Sequence, residues 1–135
     1  MARRYLLDTN ICIYIAKHNP PAVRARFEQL TADELAMSVI TLGELRHGAE
    51  KSKARAKALA ALQVLQSLIP AESLTEAVAE HYGKVRSTLE RAGLPIGNND
   101  LWIAAHALAH GWVLVTNNER EFRRVKGLKV ENWVA

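Results

Sequence analysis

PIGNNDLWIAAHALA, Pro95 to Ala109, is the stretch on which the reading of this chain turns. Pro95, Gly97, Asn98 and Asn99 form a turn-rich run into Asp100, and an almost wholly apolar, helix-like segment follows. An Asp at that junction suits two jobs. It can cap a buried helix, its carboxylate accepting from backbone N–H groups that have no partner within the helix. It can also be a carboxylate aimed at a metal ion.

Outward from this stretch the chain alternates. Downstream, Gly111 stops the helix, Val113 to Val115 reads as a strand, and Thr116, Asn117 and Asn118 break it. A short helix around Arg120 to Arg124 and a strand near Lys129 to Trp133 complete this half. Upstream, Thr75 caps a helix whose buried face is Val78, Tyr82, Val85 and Leu89 and which ends at Gly93. Leu74 falls in a very short extended segment, and Pro70 ends a long helix from about Ala54 to Ile69. That helix carries an apolar stripe, Ala58, Ala61, Leu62, Leu65, Leu68 and Ile69, read as core and as a face on which a second copy can dock. At the N-terminus, Arg4 to Leu7 is a strand stopped by Asp8, Thr9 and Asn10, and Ile11 to Lys17 a helix. Pro20 and Pro21 open a helix through about Leu30, and the strand Leu35 to Ile40 hands over at Thr41 to the helix LGELRHGA. Strands alternating with helices predict an α/β fold with a short, mostly parallel central sheet flanked by helices, as one domain over residues 1–135.

Composition narrows the class. Of the 135 residues 49% are hydrophobic and 24% charged, ordinary values that speak against disorder. No apolar run reaches the roughly 20 residues a bilayer span needs. The N-terminus has no signal-type segment, and Cys12, the one cysteine, has no internal disulfide partner. These features predict a cytoplasmic protein. The net charge of +4 and pI near 9.5 favour a polyanionic partner. The charge is clustered at Lys51, Lys53, Arg55 and Lys57, and again at Arg120, Arg123, Arg124, Lys126 and Lys129. Solvated faces explain such clusters equally well unless an active site lies near them.

Parallel topology has a consequence for the acids. The strand ends and the starts of the following helices share one edge, where open α/β sheets bind ligands. Asp8 follows the first strand, Glu44 lies in the first turn after the second, and Asp100 starts the helix before the Val113 strand, whose end leads to Asn118. Each acid also has a local explanation. Asp8 and Asp100 are cap-type residues, and Thr41 to Glu44 fits a capping box. Yet a cap needs only local geometry, and nothing obliges three anionic caps to meet at one edge. Gathered carboxylates repel, and a hard divalent cation with oxygen ligands relieves that. Such a cation polarises a phosphoryl group and activates water, so with basic clusters in the same chain the natural chemistry is phosphodiester hydrolysis.

At these residues the chain resembles the PIN-domain ribonucleases, specifically the VapC-type toxins of toxin–antitoxin pairs. YLLDTNICIYIAK (Tyr5 to Lys17), MSVITLGELRHGAEKS (Met37 to Ser52), PIGNNDLWIAAHALAHG (Pro95 to Gly111) and LVTNNEREFRRVKGLKVENW (Leu114 to Trp133) carry the resemblance, in the family's order. It implies a three-layer PIN-like fold and a Mg²⁺- or Mn²⁺-dependent endoribonuclease with Asp8, Glu44 and Asp100 as the metal-binding acids. It further implies cleavage of a structured RNA, often tRNA, leaving a 5′-phosphate and a 3′-hydroxyl. A homodimer and an antitoxin partner whose C-terminal segment occupies the active-site groove are implied as well. One position departs from the pattern: where many relatives carry a fourth acid, this chain has Asn118, which puts a second tightly bound metal in doubt. Glu119 or Glu121 can help through a water, and Thr9, Asn10 and Thr116 can orient the metal's waters. Two rivals stand beside this reading. An aspartyl phosphotransferase would use Asp8 as nucleophile but wants a nearby second Asp and a Lys at a strand end; a catalytically silent RNA- or protein-binding module would not need the acids. His106 and His110 have i, i+4 spacing but no evident third zinc ligand, and Trp102 reads as core packing rather than a base-stacking residue.

Overall fold

In the short strands, successive side chains point to opposite faces, and both faces are apolar. The computed structural model, which describes residues 4–134, resolves this into a five-stranded sheet in the order β3-β2-β1-β4-β5 with every pairing parallel. The strands are β1 (Tyr5–Leu7), β2 (Leu35–Ser38), β3 (Ala71–Glu72), β4 (Val113–Val115) and β5 (Val130–Glu131). The helices are α1 (Thr9–Lys17), α2 (Pro21–Glu28), α3 (Val39–Glu50), α4 (Arg55–Leu68), α5 (Glu76–Arg91), α6 (Asn98–His110) and α7 (Glu119–Phe122).

The helices cover both faces in three layers. On one face Tyr5, Leu7, Leu35, Met37 and Val115 pack against Ile11 and Ile15 of α1, Val23 and Phe27 of α2, and Leu62 and Leu65 of α4. On the other, Leu6, Ala36 and Leu114 pack against Leu89 of α5, Leu101, Ile103, Ala104 and Ala107 of α6, and Phe122 of α7. Each fully buried Leu or Ile contributes about 1.5–3 kcal/mol, which lets strands of three residues hold their register. No helix among the described residues is long and apolar enough to cross a membrane.

The connections create the site. From β1 the chain steps outward through β2 to β3, then returns across the sheet to place β4 on the other flank of β1. The strand order therefore reverses between β1 and β4, whose registered ends are Leu7 and Val115. Ligands of open α/β sheets bind at such a switch point. The next residues are Asp8 and Thr116.

Several boundaries differ from the sequence reading. β2 ends at Ser38, whose Oγ accepts from the Ile40 N–H, so α3 starts at Val39 and Thr41 is an interior helix residue. The capping box predicted for Thr41 and Glu44 does not form, and Glu44 moves to the second turn; a capping box occurs instead at Thr31 and Glu34, before a 3₁₀ turn the sequence reading lacked. The apolar Val39 and Ile40 continue a strand pattern, and the buried serine's capping bond overrides it. Likewise α6 begins at Asn98 with Gly97 at the cap, so Asp100 is third in the first turn and caps nothing, nor does Asn99. The segment expected at Leu74 lies at Ala71–Glu72, where two residues pair with Met37 and Ser38. α2 stops at Glu28, and α7 begins one residue early at Glu119.

Candidate active site

Asp8 is fixed from two sides. It leaves β1 in extended conformation and caps α1, its Oδ1 accepting from the Thr9 N–H at 2.8 Å. Its Oδ2 accepts from Thr116 Oγ1, also at 2.8 Å, across the switch point. Thr116 is itself locked, its Oγ1 accepting from the Asn118 N–H at 2.9 Å. Both side chains are buried. Burial raises the Asp8 pKa, the bonds from Thr116 and Thr9 pull it down, and the field of Glu44 adds to the rise.

Glu44 reaches the same place from α3. Thr9 Oγ1 donates to Glu44 Oε1 at 2.6 Å and stands 3.5 Å from the hydroxyl of the buried Thr41. Thr116, Asp8, Thr9 and Glu44 thus form a chain of contacts from β4 to α3. Asp100 enters from the first turn of α6, half-buried, with its pKa pushed up to about 6. Burial is the main cause, followed by the fields of Asp8, Glu121 and Glu44. The three acids singled out in the sequence, together with Glu121, therefore share one electrostatic neighbourhood. They do not touch: among the described residues no three His, Cys, Asp or Glu side chains are gathered into a ready-made metal cage. Carboxylates of like charge stand apart, and Thr9 holds Glu44 by its own hydroxyl.

The structure separates the supporting residues that sequence left as equals. Thr9 and Thr116 bond to the acids. Asn10 does not; it donates to Asn117, whose own amide reaches the Tyr14 hydroxyl at 2.9 Å. Asn118 stands at the N-cap position of α7 without a side-chain capping bond, and its amide donates to Glu121 Oε2 at 3.2 Å. Glu119 turns away, accepting from Arg123 at 2.6 Å and Asn132 at 3.0 Å, and these bonds lower its pKa. Glu121 is thus the α7 acid that faces the cluster. Neither Thr41 nor Tyr14 was legible as a site residue, because Thr41 meets Thr9 across two helices and Tyr14 meets Asn117 of the segment after β4.

A second link ties the acid-bearing helices together. His106 of α6 is fully buried, and its Nδ1 lies 2.9 Å from Ser38 Oγ, the cap of α3. Burial, reinforced by His110, lowers the His106 pKa to about 4 against a smaller opposing effect of Glu72, so the ring is neutral near pH 7. His110 stacks on Trp112 with centroids 4.2 Å apart, and Trp102 stacks on Tyr82 at 3.9 Å. Both histidines and Trp102 are therefore engaged in packing.

Among the described residues the donors bonded at the switch point are oxygens, from carboxylates, hydroxyls and one amide, and no Cys or His side chain bonds to the acids. Such a set suits a hard divalent cation and not a soft one. The comparisons with known proteins agree. The profile of the PIN domain matches residues 5–128, and the chain belongs to the PIN-domain family, whose ribonucleases depend on a divalent metal. It is 44% identical over 130 residues to the tRNA(fMet)-specific endonuclease VapC of Shigella flexneri, covering 96% of this chain and 98% of that protein. Among solved structures, VapBC-1 from nontypeable Haemophilus influenzae superposes with a TM-score of 0.90 at 42% identity, over 97% of this chain and 98% of that one. VapBC2 from Rickettsia felis, bound to a DNA fragment from the promoter, gives 0.89 at 40% identity, over 96% and 98%. Within the family the chain stands with the toxin endoribonucleases of the VapC type.

Proposed function

We propose that this endoribonuclease hydrolyses structured RNA, tRNA foremost, using Mg²⁺ or Mn²⁺ held by Asp8, Glu44 and Asp100. The single observation behind this is the hydrogen-bonded run from Thr116 through Asp8 and Thr9 to Glu44 at the switch point, with Asp100 in its field. Held there by Asp8, Glu44 and Asp100, a divalent cation would supply Lewis-acid polarisation of the phosphoryl group and would lower the pKa of water. The protein's part is positional. Thr116 and the Thr9 backbone fix both oxygens of Asp8, and each oxygen keeps a further lone pair for a cation. Thr9 presents Glu44, and Asn118 orients Glu121, which serves through a water. One cation site is the natural count, because Asn118 contributes no charge. The aspartyl phosphotransferase lacks its lysine: Asp8, Ser38 and Thr116 stand at the strand ends.

The partner follows from the surface beside the acids. A groove of about 490 Å³ between α1, α3 and α4 opens at Thr9 and Glu44 and continues over Ile13, Ala16, Leu45 and Leu62. It supports binding of an antitoxin segment whose apolar side chains fill the groove and whose end reaches the acids. Relatives solved as VapBC complexes make such a partner natural. The exposed Val64 and Leu68 of α4 support a homodimer or a larger assembly with the antitoxin. A single-domain cytoplasmic enzyme accords with all of this.

The deciding experiment incubates antitoxin-free protein with total RNA in Mg²⁺, in Mn²⁺ and in EDTA, alongside Asp8→Asn. Cleavage is expected with metal alone and is expected to vanish in Asp8→Asn. Cleavage surviving EDTA or the substitution overturns the assignment; absence of cleavage from every RNA leaves the silent binding module.

A further inference from the structure

A second groove, of about 320 Å³, lies away from the acids between α5 and α6 on one side and the segment after α7 on the other. His81, Lys84 and Thr88 line it from α5, and Arg124 and Lys126 from the opposite bank. Its floor is closed. Leu89 and Val125 are buried, Val85 and Leu108 half-buried, and none of the large exposed hydrophobic residues belongs to it. The floor is mostly apolar, and what sets the groove apart is the charge of its rim.

That rim is electrically unsatisfied. Arg24, Arg46, Arg55, Arg86 and Arg123 each face a carboxylate. Lys84 and Lys126 are exposed, and among the described residues neither has an ion-pair partner. Exposed lysines elsewhere are also unpaired; this pair is distinguished by facing a common groove, with Arg124 between them and the site. Arg124 donates to the Pro95 carbonyl at 3.0 Å and keeps its other guanidinium donors.

The groove approaches the first turn of α6, the turn that carries Asp100. Leu89 also lines a smaller cleft with Pro95, Ile96, Asn98 and Leu101, and Asn98 and Leu101 flank Asp100 in the first turns of α6. Arg124 in one groove bonds to Pro95 in the other, so the two adjoin at the turn that leads into α6. From Leu89 back to His81 along α5 is about 12 Å, room for two or three consecutive phosphates.

We propose that this groove is a second RNA-backbone surface, which holds an arm of a folded RNA while the scissile bond lies at the acids. It rests on the ribonuclease reading. Lys84, Lys126 and Arg124 contact phosphates, and His81 and Thr88 add further hydrogen-bond donors. The surface reads shape rather than sequence, since its charged groups suit phosphates and no Trp, Tyr or Phe is among its lining residues. It favours folded RNA over short single strands, which end before they reach it.

The test is a binding measurement independent of cleavage. Folded tRNA and a short single-stranded RNA are titrated, in EDTA and over a range of salt, against Asp8→Asn protein with and without Lys84→Ala plus Lys126→Ala. An Asp8→Asn protein carrying Lys51→Ala plus Lys53→Ala loses the same charge elsewhere and serves as control. Removing the groove pair is expected to weaken tRNA binding roughly tenfold near 0.1 M salt and to reduce the magnitude of the salt slope by about 1.5. Binding of the short RNA is expected to change less than about twofold. Unchanged tRNA affinity and slope overturn the proposal and leave the groove to another partner. Equal losses from the two lysine pairs overturn it too, since net charge would then be the cause. A parallel cleavage assay of the protein with its Asp8 intact reports on the ribonuclease reading, so the two can fail separately.

Discussion

Asp100→Asn tests the job left to that residue once Gly97 holds the cap, and the structure supplies the magnitude. The wild-type carboxyl titrates near 6 in the fold against 3.8 as the ordinary value, because it is partly buried and faces Asp8, Glu121 and Glu44. A shift of that size corresponds to about 3 kcal/mol, roughly halved here because the side chain is only half-buried. An acid whose folded pKa is raised favours the folded state below the unfolded value, and that contribution is lost as pH rises through the folded pKa. Between about pH 4 and pH 6 the metal-free wild type should therefore lose about 1.5 kcal/mol from this group. Asn loses none of it, but gives up about 0.5 kcal/mol of favourable interaction between Asp and the helix N-terminus. Near pH 7.5 in EDTA the variant should be about 1 kcal/mol more stable, a rise in Tm of about 3–4 °C for a chain of this size. Below pH 4 the advantage should disappear. Saturating Mn²⁺ should reverse the order, since the wild type alone gains binding free energy. Urea or thermal unfolding at pH 4 and pH 7.5, with EDTA and with Mn²⁺, measures all three. A variant that is less stable in EDTA at pH 7.5, with a wild-type pH slope, would refute the shared neighbourhood and return Asp100 to a structural role.

The remaining expectations concern the residues around the acids. Thr116→Val keeps the shape but strips Asp8 Oδ2 of its buried donor; it should cost about 1–3 kcal/mol in unfolding experiments and raise the metal concentration needed for half-maximal cleavage. An unchanged metal requirement would show that Thr116 does not orient Asp8. Ser38→Ala removes both the α3 cap and the partner of the buried His106 and should cost about 2 kcal/mol by the same measurement; a loss below about 0.5 kcal/mol would mean the link carries no load. Cys12 is fully buried and its thiol is pushed up, chiefly by burial and further by Asp8. Thiol reagents at pH 8 should modify it only as fast as the protein unfolds; rapid stoichiometric labelling of the native chain would contradict that packing.

Much of this was legible before any fold was known, and what was not is instructive. The alternation of RYLL, LAMS and VLV with helical runs determined a parallel α/β sheet, because strands apolar on both faces need helices on both sides. Asp8, Glu44 and Asp100 stood out because acids at strand ends and helix starts must share an edge in that topology. Local rules then misplaced the helix starts: Thr41 and Asp100 are good cap residues, yet Ser38 and Gly97 occupy the caps. The deciding contacts at Ser38 come from its own helix and from His106, 68 residues on, and no local pattern registers the second. The choice between Glu119 and Glu121 was likewise closed to sequence, because Arg123 and Asn132 claim the first and leave the second to face Asp100. The groove of Lys84 and Lys126 joins residues that sequence assigned to different elements, one of them outside both basic clusters. Residue type and spacing by themselves determine which groups a chain owns and which edge they reach. Which atoms meet there is decided only in the tertiary structure, where burial and long-range hydrogen bonds choose among side chains that are locally equivalent.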